Sequence, residues 1–257
     1  MSIPLRPAHA STRRFKNHWQ PSDRQHLEQG MQQLGLTLSG ERMDRLNRWA
    51  ALVLQWNQTY NLLGSNDSQV LIDNHLLDSL AALPALTRHL PDLDAPLADI
   101  GSGAGFPGIL LAIAHPERPI TLVEPVGKKA AFLRQSALTL GLRNVSVCAT
   151  RIENLTRHEV GGSDPNFICR AFTALARYAS LCEPFMSERS LAFAMKSVRL
   201  RDEQRELPAS VQMHAVESLP CIHPDTQRFL AVLKLTSPPP LEAIASSSET
   251  TDNRRLA

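Results

Sequence analysis

Aromatic residues are scarce in this chain, at 5% of its 257 residues, and neither charge sign dominates. The formal net charge is only +2, whereas proteins that coat long stretches of nucleic acid are usually far more basic, so charge alone identifies no partner. No apolar run is as long as a membrane span, and the first residues lack the pattern of a signal peptide. We therefore expect a cytoplasmic protein that has no membrane partner.

Cysteines are also few, and their spacing excludes the common metal-binding motifs. Cys148, Cys169, Cys182 and Cys221 form no Cys-x-x-Cys pair, and no cluster of His and Cys has the spacing of metal ligands. We predict free thiols in a reducing compartment and no metal site.

The first 95 residues lack the strand-like patterns of the rest of the chain. Residues 1–22 hold scattered Pro, Ser, Arg and His without periodicity, which predicts a flexible arm. Helical periodicity predicts three helices, over 21–34, 41–60 and 68–83. Pro84 breaks the third pattern, and the helices together form a predicted N-terminal subdomain over residues 23–95.

From residue 96 onward, short apolar runs alternate with helical patterns, which is typical of an α/β domain with a mostly parallel sheet. Seven runs predict strands, over 96–100, 120–124, 145–150, 167–171, 191–196, 211–216 and 229–235. The last two follow one another and predict a hairpin at one edge. We expect this domain to span residues 96–236, and the proline- and serine-rich residues 237–257 to form a disordered tail.

The strongest local signal is Asp99-Ile-Gly-Ser-Gly-Ala-Gly-Phe-Pro-Gly108, between a predicted strand and a predicted helix. Gly101, Gly103 and Gly105 allow positive φ angles and let a ligand approach the backbone closely. Ligands bind at the carboxyl ends of strands in such sheets. Part of the loop also fits the Gly-x-Gly-x-x-Gly pattern of dinucleotide-binding proteins, with Glu124 near the position of their ribose-binding acid. The pattern alone therefore leaves a nicotinamide-dependent oxidoreductase open.

Asp99 favours a different cofactor. An acid at this point would lie close to a pyrophosphate, and uncompensated like charges are costly. S-adenosylmethionine carries a sulfonium cation and no phosphate, so it suits a pocket bordered by an acid. We expect Glu124 to accept hydrogen bonds from ribose hydroxyls, and Ile152 and Glu153 to lie beside the adenine ring. The predicted fold is α/β, that of a Rossmann-like class I methyltransferase, with a seven-stranded mostly parallel sheet and an N-terminal helical extension.

Several motifs, in order and spacing, resemble those of the RsmG (GidB) family. They are Trp56-Asn-Gln-Thr-Tyr-Asn-Leu62, His75-Leu-Leu-Asp-Ser79, the glycine loop, Gly127-Lys-Lys-Ala-Ala-Phe-Leu-Arg134, Arg151-Ile-Glu153 and Arg170-Ala-Phe172. The resemblance implies a bacterial 16S rRNA guanine-N7 methyltransferase that uses S-adenosylmethionine and modifies one guanine of a decoding-region hairpin, the position usually labelled 527. It implies 16S rRNA or the small ribosomal subunit as the partner, and we expect a monomer.

The resemblance also carries implications for single residues. By position, the residues implied to bind S-adenosylmethionine are Gly101, Phe106, Ile152, Glu153 and Arg170. Two departures from the family pattern are visible. Ala194-Met-Lys-Ser197 stands where the family usually has Ala-Leu-Lys-Gly, and Glu124 stands where it usually has Asp.

The reaction implied for guanine N7 needs little acid–base chemistry. N7 carries a lone pair and no proton, so its attack on a sulfonium methyl requires no general base. Catalysis should be mainly positioning, and the polar candidates for the guanine side are His75, Asp78, Arg134 and Arg170. His75 and Asp78 lie three residues apart on one helix face, where a structural pair is an equal alternative. Arg170 ends the fourth strand, beside the expected transfer centre, and is the strongest candidate.

A third interpretation remains open beside the methyltransferase and the oxidoreductase. The same fold could serve as a non-catalytic RNA-binding module in ribosome assembly, because fold does not determine function. Cofactor binding separates the methyltransferase from the oxidoreductase, and methyl transfer to RNA separates it from the assembly module.

Overall fold

The computed structural model describes residues 18–197, 200–222 and 226–236. The predicted tail and residues 1–17 of the predicted arm lie outside the described residues. The arm is predicted to reach residue 22, but the first helix begins at Pro21, where the periodicity also predicts it. No helix in the described part of the chain is long and apolar enough to cross a membrane.

Seven strands form one sheet in the order β3-β2-β1-β4-β5-β7-β6. They are β1 Leu97–Ile100, β2 Ile120–Val123, β3 Val145–Cys148, β4 Asn166–Arg170, β5 Ala192–Lys196, β6 Val211–Leu219 and β7 Arg228–Leu235. Strands β1 to β5 are parallel to one another, whereas β7 runs antiparallel to β5 and β6 antiparallel to β7. The predicted mostly parallel sheet and the predicted terminal hairpin are therefore confirmed.

The winding of the sheet reverses between β1 and β4. Strand β1 pairs with β2 on one side and with β4 on the other. The connections that leave these strands diverge, which opens a crevice at the carboxyl edge of the sheet. Gly101 follows β1, Glu124 follows β2 and Arg170 ends β4. The topology therefore brings the ends of three predicted site segments to one crevice.

Helices cover both faces of the sheet. They are α1 Pro21–Gln33, α2 Gly40–Tyr60, α3 Ser68–Leu71, α4 Asp78–Leu80, α5 Leu83–His89, α6 Gly108–Ala114, α7 Gly127–Leu140, α8 Leu175–Cys182 and α9 Leu200–Gln204. A π-helix over Ile72–Leu77 joins α3 to α4, and short 3-10 helices follow β3 and α8. Every residue of α6 is buried, because this helix lies between the sheet and the N-terminal helices.

The N-terminal helices share their core with one face of the sheet. Leu46 and Trp49 of α2 lie in the same buried apolar cluster as Ile109 of α6 and Leu133 of α7. The indole ring of Trp49 is fully buried, and its centroid lies 4.8 Å from that of Phe106 in the glycine loop. Removing a buried aromatic side chain typically costs about 3–5 kcal/mol. The helical subdomain is therefore fastened to the sheet through packing and not only through the connecting chain.

Two parts of the secondary structure differ from the prediction. The helix predicted over 68–83 is interrupted by the π-helix, and a further helix, α5, begins at Leu83. Pro84 does not end the helical region, since it lies in the first turn of α5, where the missing N–H breaks no helical hydrogen bond. Helix α9 was not predicted because its five residues contain only one apolar side chain, which leaves no periodicity to detect.

Candidate active site

The glycine loop leaves β1 in a conformation that needs glycine. Gly101 has a φ of +72°, and its N–H and that of Ser102 both donate to the carbonyl of Val123 at the end of β2, at 2.9 and 3.1 Å. A Cβ built on Gly101 would collide with the ring of Phe172. The loop is thus fixed to the neighbouring strand, and a side chain at Gly101 is excluded by both backbone conformation and space.

Asp99, near the end of β1, is fully buried, and only one of its two carboxylate oxygens has a hydrogen-bond partner among the described residues. Its Oδ2 accepts a hydrogen bond from the N–H of Gly108 at 3.0 Å, which links the strand to the start of α6. Its Oδ1 has no hydrogen-bond partner within the part of the chain that the structure describes. Burial raises the pKa of Asp99 to about 7, because the charged form is poorly solvated there. A cationic group placed beside Oδ1 would relieve both the missing hydrogen bond and the unfavourable burial of charge.

Glu124 is engaged with the backbone of two loops. Its Oε2 accepts from the N–H of Gly103 at 2.9 Å, and its Oε1 accepts from the N–H of Val126 at 2.8 Å. The side chain is 4% exposed. Each carboxylate oxygen has two acceptor sites, so one on each remains for a ligand hydroxyl. Glu124, whose side chain is longer than the Asp usual in the family, therefore holds the glycine loop through its hydrogen bond with Gly103.

A cavity of about 330 Å³ opens beside this loop. Gly101, Ile152, Glu153, Phe172 and Arg177 belong to its wall. The side chain of Ile152 is buried and forms an apolar surface, whereas Glu153 is exposed and lies 4.0 Å from Arg177 in an ion pair. The wall thus offers an apolar face beside polar edges, and the placement of the adenine ring at Ile152 and Glu153 stays a prediction.

Arg170 is the centre of a charged cluster on the other side of the crevice. Its Nη1 donates to the carbonyls of Asn74 and His75, at 3.3 and 3.1 Å, and to the hydroxyl of Ser79 at 2.8 Å. The same nitrogen lies 3.2 Å from Oδ2 of Asp78 in an ion pair. The Arg170 side chain is only 12% exposed. The carbonyls of Asn74 and His75 belong to the π-helix, so the guanidinium is bonded to the backbone of this segment as well as to side chains beside it.

His75 completes the contacts of Arg170 as a neutral ring. Burial, and then the charge of Arg170, lower the pKa of His75 to about 4. Its unprotonated Nδ1 therefore accepts a hydrogen bond from Arg170 Nη2 at 2.8 Å. The imidazole and the guanidinium both lie against Phe106, with centroid distances of 5.3 and 5.4 Å. Phe106 is thus a buried support for the cluster.

Two members of this cluster were missed by the sequence reasoning. Arg228 at the start of β7 donates from Nε to Oδ1 of Asp78 at 2.7 Å, and Ser79 lies fully buried under Arg170. Ser79 ends the His75-Leu-Leu-Asp-Ser79 motif, so the sequence could have indicated it as a site residue. Arg228 carries no local signal, because it lies 150 residues from Asp78 along the chain.

A second cavity, of about 520 Å³, adjoins the charged cluster. Asp78, Arg170, Phe172, Lys196 and Arg228 belong to its wall. Phe172 and Thr173 belong to the walls of both this cavity and the smaller one, so the two cavities adjoin at these residues. Three cationic side chains, of Arg170, Lys196 and Arg228, line the larger cavity together with the acids Asp78 and Glu203.

The predicted site residues therefore fall into separate groups. Asp99, Glu124 and the glycines, with Gly103 bonded to Glu124 and Gly105 packed on Ile109, form the loop side. His75, Asp78 and Arg170 form the cluster. Arg134 is not brought to them: it is exposed on α7, and its charge acts on the Cys148 thiol at the end of β3. Strands β2 and β1 separate β3 from β4.

The residues present suit S-adenosylmethionine better than a dinucleotide. The unpaired Oδ1 of Asp99 calls for a cation or a hydrogen-bond donor, and Glu124 adds a second acid beside the loop. A pyrophosphate at this point would meet both acids. Within the described residues, no group of three or more His, Cys, Asp or Glu side chains is arranged to hold a metal ion.

Comparison with known proteins agrees with this geometry. The family model described as GidB, rRNA small subunit methyltransferase G, matches residues 42–230. A ribosomal RNA small subunit methyltransferase G of Acidovorax ebreus (strain TPSY) is 40% identical over 201 residues, covering 75% of this chain and 87% of the relative. Another, of Aromatoleum aromaticum (strain DSM 19018 / LMG 30748 / EbN1), is 39% identical over 212 residues, covering 81% and 97%.

A solved structure supports the fold alone. It is described as MtNAS in complex with MTA and tNA, and it aligns with a TM-score of 0.52 at 15% identity, covering 76% of this chain and 74% of that one. The family model, by contrast, spans well over half of the chain, and the relatives are matched over most of their length. The chain therefore belongs to the GidB family of rRNA small subunit methyltransferase G proteins.

Proposed function

We propose that this protein transfers a methyl group from S-adenosylmethionine to N7 of a guanine in 16S rRNA, in the hairpin of the decoding region. The observation that carries the proposal is the pair of cavities that meet at Phe172, one beside the acid-braced glycine loop and one beside the arginine cluster. A cofactor and a base placed in them would face each other at the carboxyl edge of β1 and β4. Membership of the family supports the same activity.

The loop side is proposed to hold the cofactor. When bound, S-adenosylmethionine supplies an electrophilic methyl group on a sulfonium. Asp99 is proposed to face the positively charged end of the cofactor, since its Oδ1 is buried without a partner. Glu124 is proposed to accept from the ribose hydroxyls, and Ile152 to pack on the adenine ring beside Glu153. Gly101 contributes by leaving room for close approach to its backbone.

Methyl transfer to N7 requires the protein to align the reactants and does not require a general base. The N7 lone pair forms the bond to the methyl carbon, while the carbon–sulfur bond breaks and leaves its electron pair on sulfur. No proton leaves the nucleophile. His75 is consistent with a reaction that needs no general base. Its Nδ1 already accepts a hydrogen bond from Arg170, and its pKa of about 4 makes it a poor base near pH 7. Alignment of reactants can supply roughly 7–11 kcal/mol of barrier reduction.

Arg170 is proposed to position the site more than to bind the reactants. Its Nη atoms already contact Asp78, Ser79, His75 and the carbonyls of the π-helix. It therefore locks the helical extension onto the end of β4. Arg228 shares Asp78 with it but is 35% exposed in its side chain, which leaves it closer to an incoming nucleic acid. We expect it to contact RNA phosphate or the guanine O6.

The finer assignments belong to the same proposal. We propose 16S rRNA within the small ribosomal subunit as the substrate, a monomeric enzyme and a cytoplasmic location. We also keep the division into a helical subdomain over 23–95 and a catalytic domain over 96–236. The shared core around Trp49 and Phe106 implies that these two parts fold together.

The test is methyl transfer from labelled S-adenosylmethionine to small subunits that lack the modification, followed by mapping of the labelled nucleotide. Label at N7 of one guanine in the decoding-region hairpin is the expected result. Cofactor binding without any transfer would instead favour the RNA-binding assembly module. Binding of a nicotinamide dinucleotide in preference to S-adenosylmethionine would favour the oxidoreductase.

A further inference from the structure

Phe172 is a large apolar side chain that is partly exposed to solvent, and this exposure needs an explanation. It is 37% exposed, in a chain with few aromatic residues, whereas Phe106 of the loop and Phe167 and Phe193 of the sheet are buried. Its ring lies over the Cα of Gly101 and belongs to the walls of both cavities. The side chain therefore stands at the boundary between the proposed cofactor and substrate regions.

The backbone before Phe172 is held in an uncommon conformation. Ala171 has a φ of +50°, which typically costs a non-glycine residue about 1–2 kcal/mol. This residue turns the chain sharply after β4, directly beyond Arg170. Such conformations persist where surrounding contacts enforce them, and they concentrate at functional sites. The turn delivers the Phe172 ring to the crevice instead of continuing the strand.

The contacts that anchor the segment after Phe172 come from β5 and α9. Lys196 Nζ donates to the carbonyl of Thr173 at 2.8 Å and forms an ion pair of 2.7 Å with Glu203. The same Glu203 carboxylate accepts from the N–H of Leu175 at 2.6 Å, at the start of α8. The segment that follows Phe172 is thus tied down at two points. The ring is therefore held by this anchored backbone and by its packing against Gly101.

We propose that Phe172 is the platform on which the target guanine stacks during methyl transfer. This inference rests on the proposed function and specifies how the base is held. A flat apolar ring at the junction of the two cavities offers a surface to one face of a purine. Stacking of a base on an aromatic side chain is typically worth enough to change affinity by roughly 5- to 150-fold. Arg228 and Lys196 then border the edge of the same cavity.

The Phe172 ring would also stabilise the positive charge that develops on the guanine during the reaction. As the N7–methyl bond forms, the guanine gains a full positive charge and the sulfonium loses its own. The face of an aromatic ring carries negative electrostatic potential and attracts cations. Stacking should therefore strengthen between the bound guanine and the transition state, and only interactions of that kind accelerate the chemical step. Phe172 would lower the barrier as well as hold the base.

Substitution of Phe172 tests the platform. Phe172→Leu removes the aromatic face and keeps apolar volume, and Phe172→Tyr keeps the face. With unmodified small subunits and saturating cofactor, we expect Phe172→Leu to lower kcat/KM for RNA by about 10- to 100-fold, with part of the loss in kcat. Phe172→Tyr should retain activity within about threefold. Leu138→Ala, which removes an exposed apolar side chain on α7, is the matched control and should equal wild type.

Cofactor affinity and stability complete the test. Calorimetric titration with S-adenosylmethionine should give a Kd within about twofold of wild type for Phe172→Leu, and its thermal unfolding should match that of Leu138→Ala. Unchanged kcat/KM in Phe172→Leu would overturn the platform. A loss of cofactor affinity as large as the loss of kcat/KM would also overturn it, and would make Phe172 a cofactor contact. Failure of the wild-type enzyme to modify guanine N7 would instead reject the proposed function.

Discussion

The two sides of the crevice are built in different ways. The loop side, with Asp99, Gly101 and Glu124, comes from two adjacent strand ends, and its carboxylates bond to backbone N–H groups only 9 and 21 residues away in sequence. The cluster side joins Arg170 and Arg228 to Asp78 across 92 and 150 residues of sequence. The first side bears negative charge and is rigid through its backbone. The second bears a net positive charge and depends on side chains that several elements must bring together.

This difference indicates that the two sides should fail differently when altered. Changes on the loop side should weaken cofactor binding and leave the fold largely intact. Changes in the cluster should loosen the attachment of the helical extension and reduce methyl transfer, with smaller effects on cofactor affinity. Three substitutions and one titration test whether the two sides differ in this way.

The largest effect is expected for Arg170→Ala. It removes the hydrogen bonds to Ser79 and the π-helix and leaves Asp78 with one partner in place of two. Removing one partner of a buried ion pair typically costs about 3–5 kcal/mol, so chemical denaturation should show a loss of this size. Methyl transfer should fall by roughly 100-fold, because a misplacement of about 1 Å in the reacting groups can cost that much. The exposed Arg189→Ala is the control, and equal stability of the two variants would refute the role of the cluster.

Gly101→Ala should produce the largest effect on the loop side. The new Cβ requires a positive φ and meets the ring of Phe172. The conformational cost alone is about 1–2 kcal/mol, and if binding must restore the wild-type loop conformation we expect roughly 5- to 30-fold weaker binding of S-adenosylmethionine in calorimetry. Gly40→Ala, at the start of α2, has open space around it and should bind as wild type does. Retained affinity in Gly101→Ala would show that the cofactor does not approach this loop closely.

The titration of Asp99 should make cofactor affinity depend on pH. Its raised pKa of about 7 means that the empty site is largely protonated at pH 6 and largely ionised at pH 8. A bound cation favours the ionised form, so binding releases a proton, and affinity should rise about tenfold between these values. Calorimetry in buffers of different ionisation enthalpy measures the released proton. Asp99→Asn should abolish both the proton release and the pH dependence; a wild-type affinity that stays flat would place the positive charge of the cofactor elsewhere.

The raised pKa of Asp99 also has a consequence for stability in the absence of cofactor. A carboxyl group whose folded-state pKa lies above the unfolded value stabilises the fold at low pH, and this contribution is lost as pH rises from about 4 through about 7. His75 acts in the opposite sense. Its pKa of about 4 lies below the ordinary value, so its contribution is present above about pH 6.5 and is lost as pH falls toward 4.

The smallest effect is expected for Arg228→Gln. Its side chain is 35% exposed, against 12% for Arg170, so solvent screens its bond to Asp78 and about 1 kcal/mol of stability should be lost. Cofactor affinity should not change, whereas KM for the small subunit should rise. Arg88→Gln breaks a surface ion pair with Glu217 and controls for the loss of a charge, because neither residue belongs to the wall of either cavity. A rise in cofactor Kd in Arg228→Gln would contradict the separation of the two sides.

The loop side could be predicted because its information is local. Alternating apolar runs define strands, and an acid, glycines and a helix start follow one of them within ten residues. The parallel sheet and the terminal hairpin followed from the same patterns and are confirmed. Helix α9 and the π-helix escaped prediction because the first is too short for periodicity and the second differs from an α-helix only in its hydrogen bonds.

The sequence by itself determined the class of fold, the position of the glycine loop and, through ordered motifs, the family. Only the tertiary structure decided that Arg228 joins Asp78, that Arg134 stays apart from Arg170, and that the ring of Phe172 lies over Gly101. Motifs report on bonds between neighbours in the chain. Ion pairs and ring contacts between distant segments depend on strand order and helix packing, which arise only when the whole core is buried.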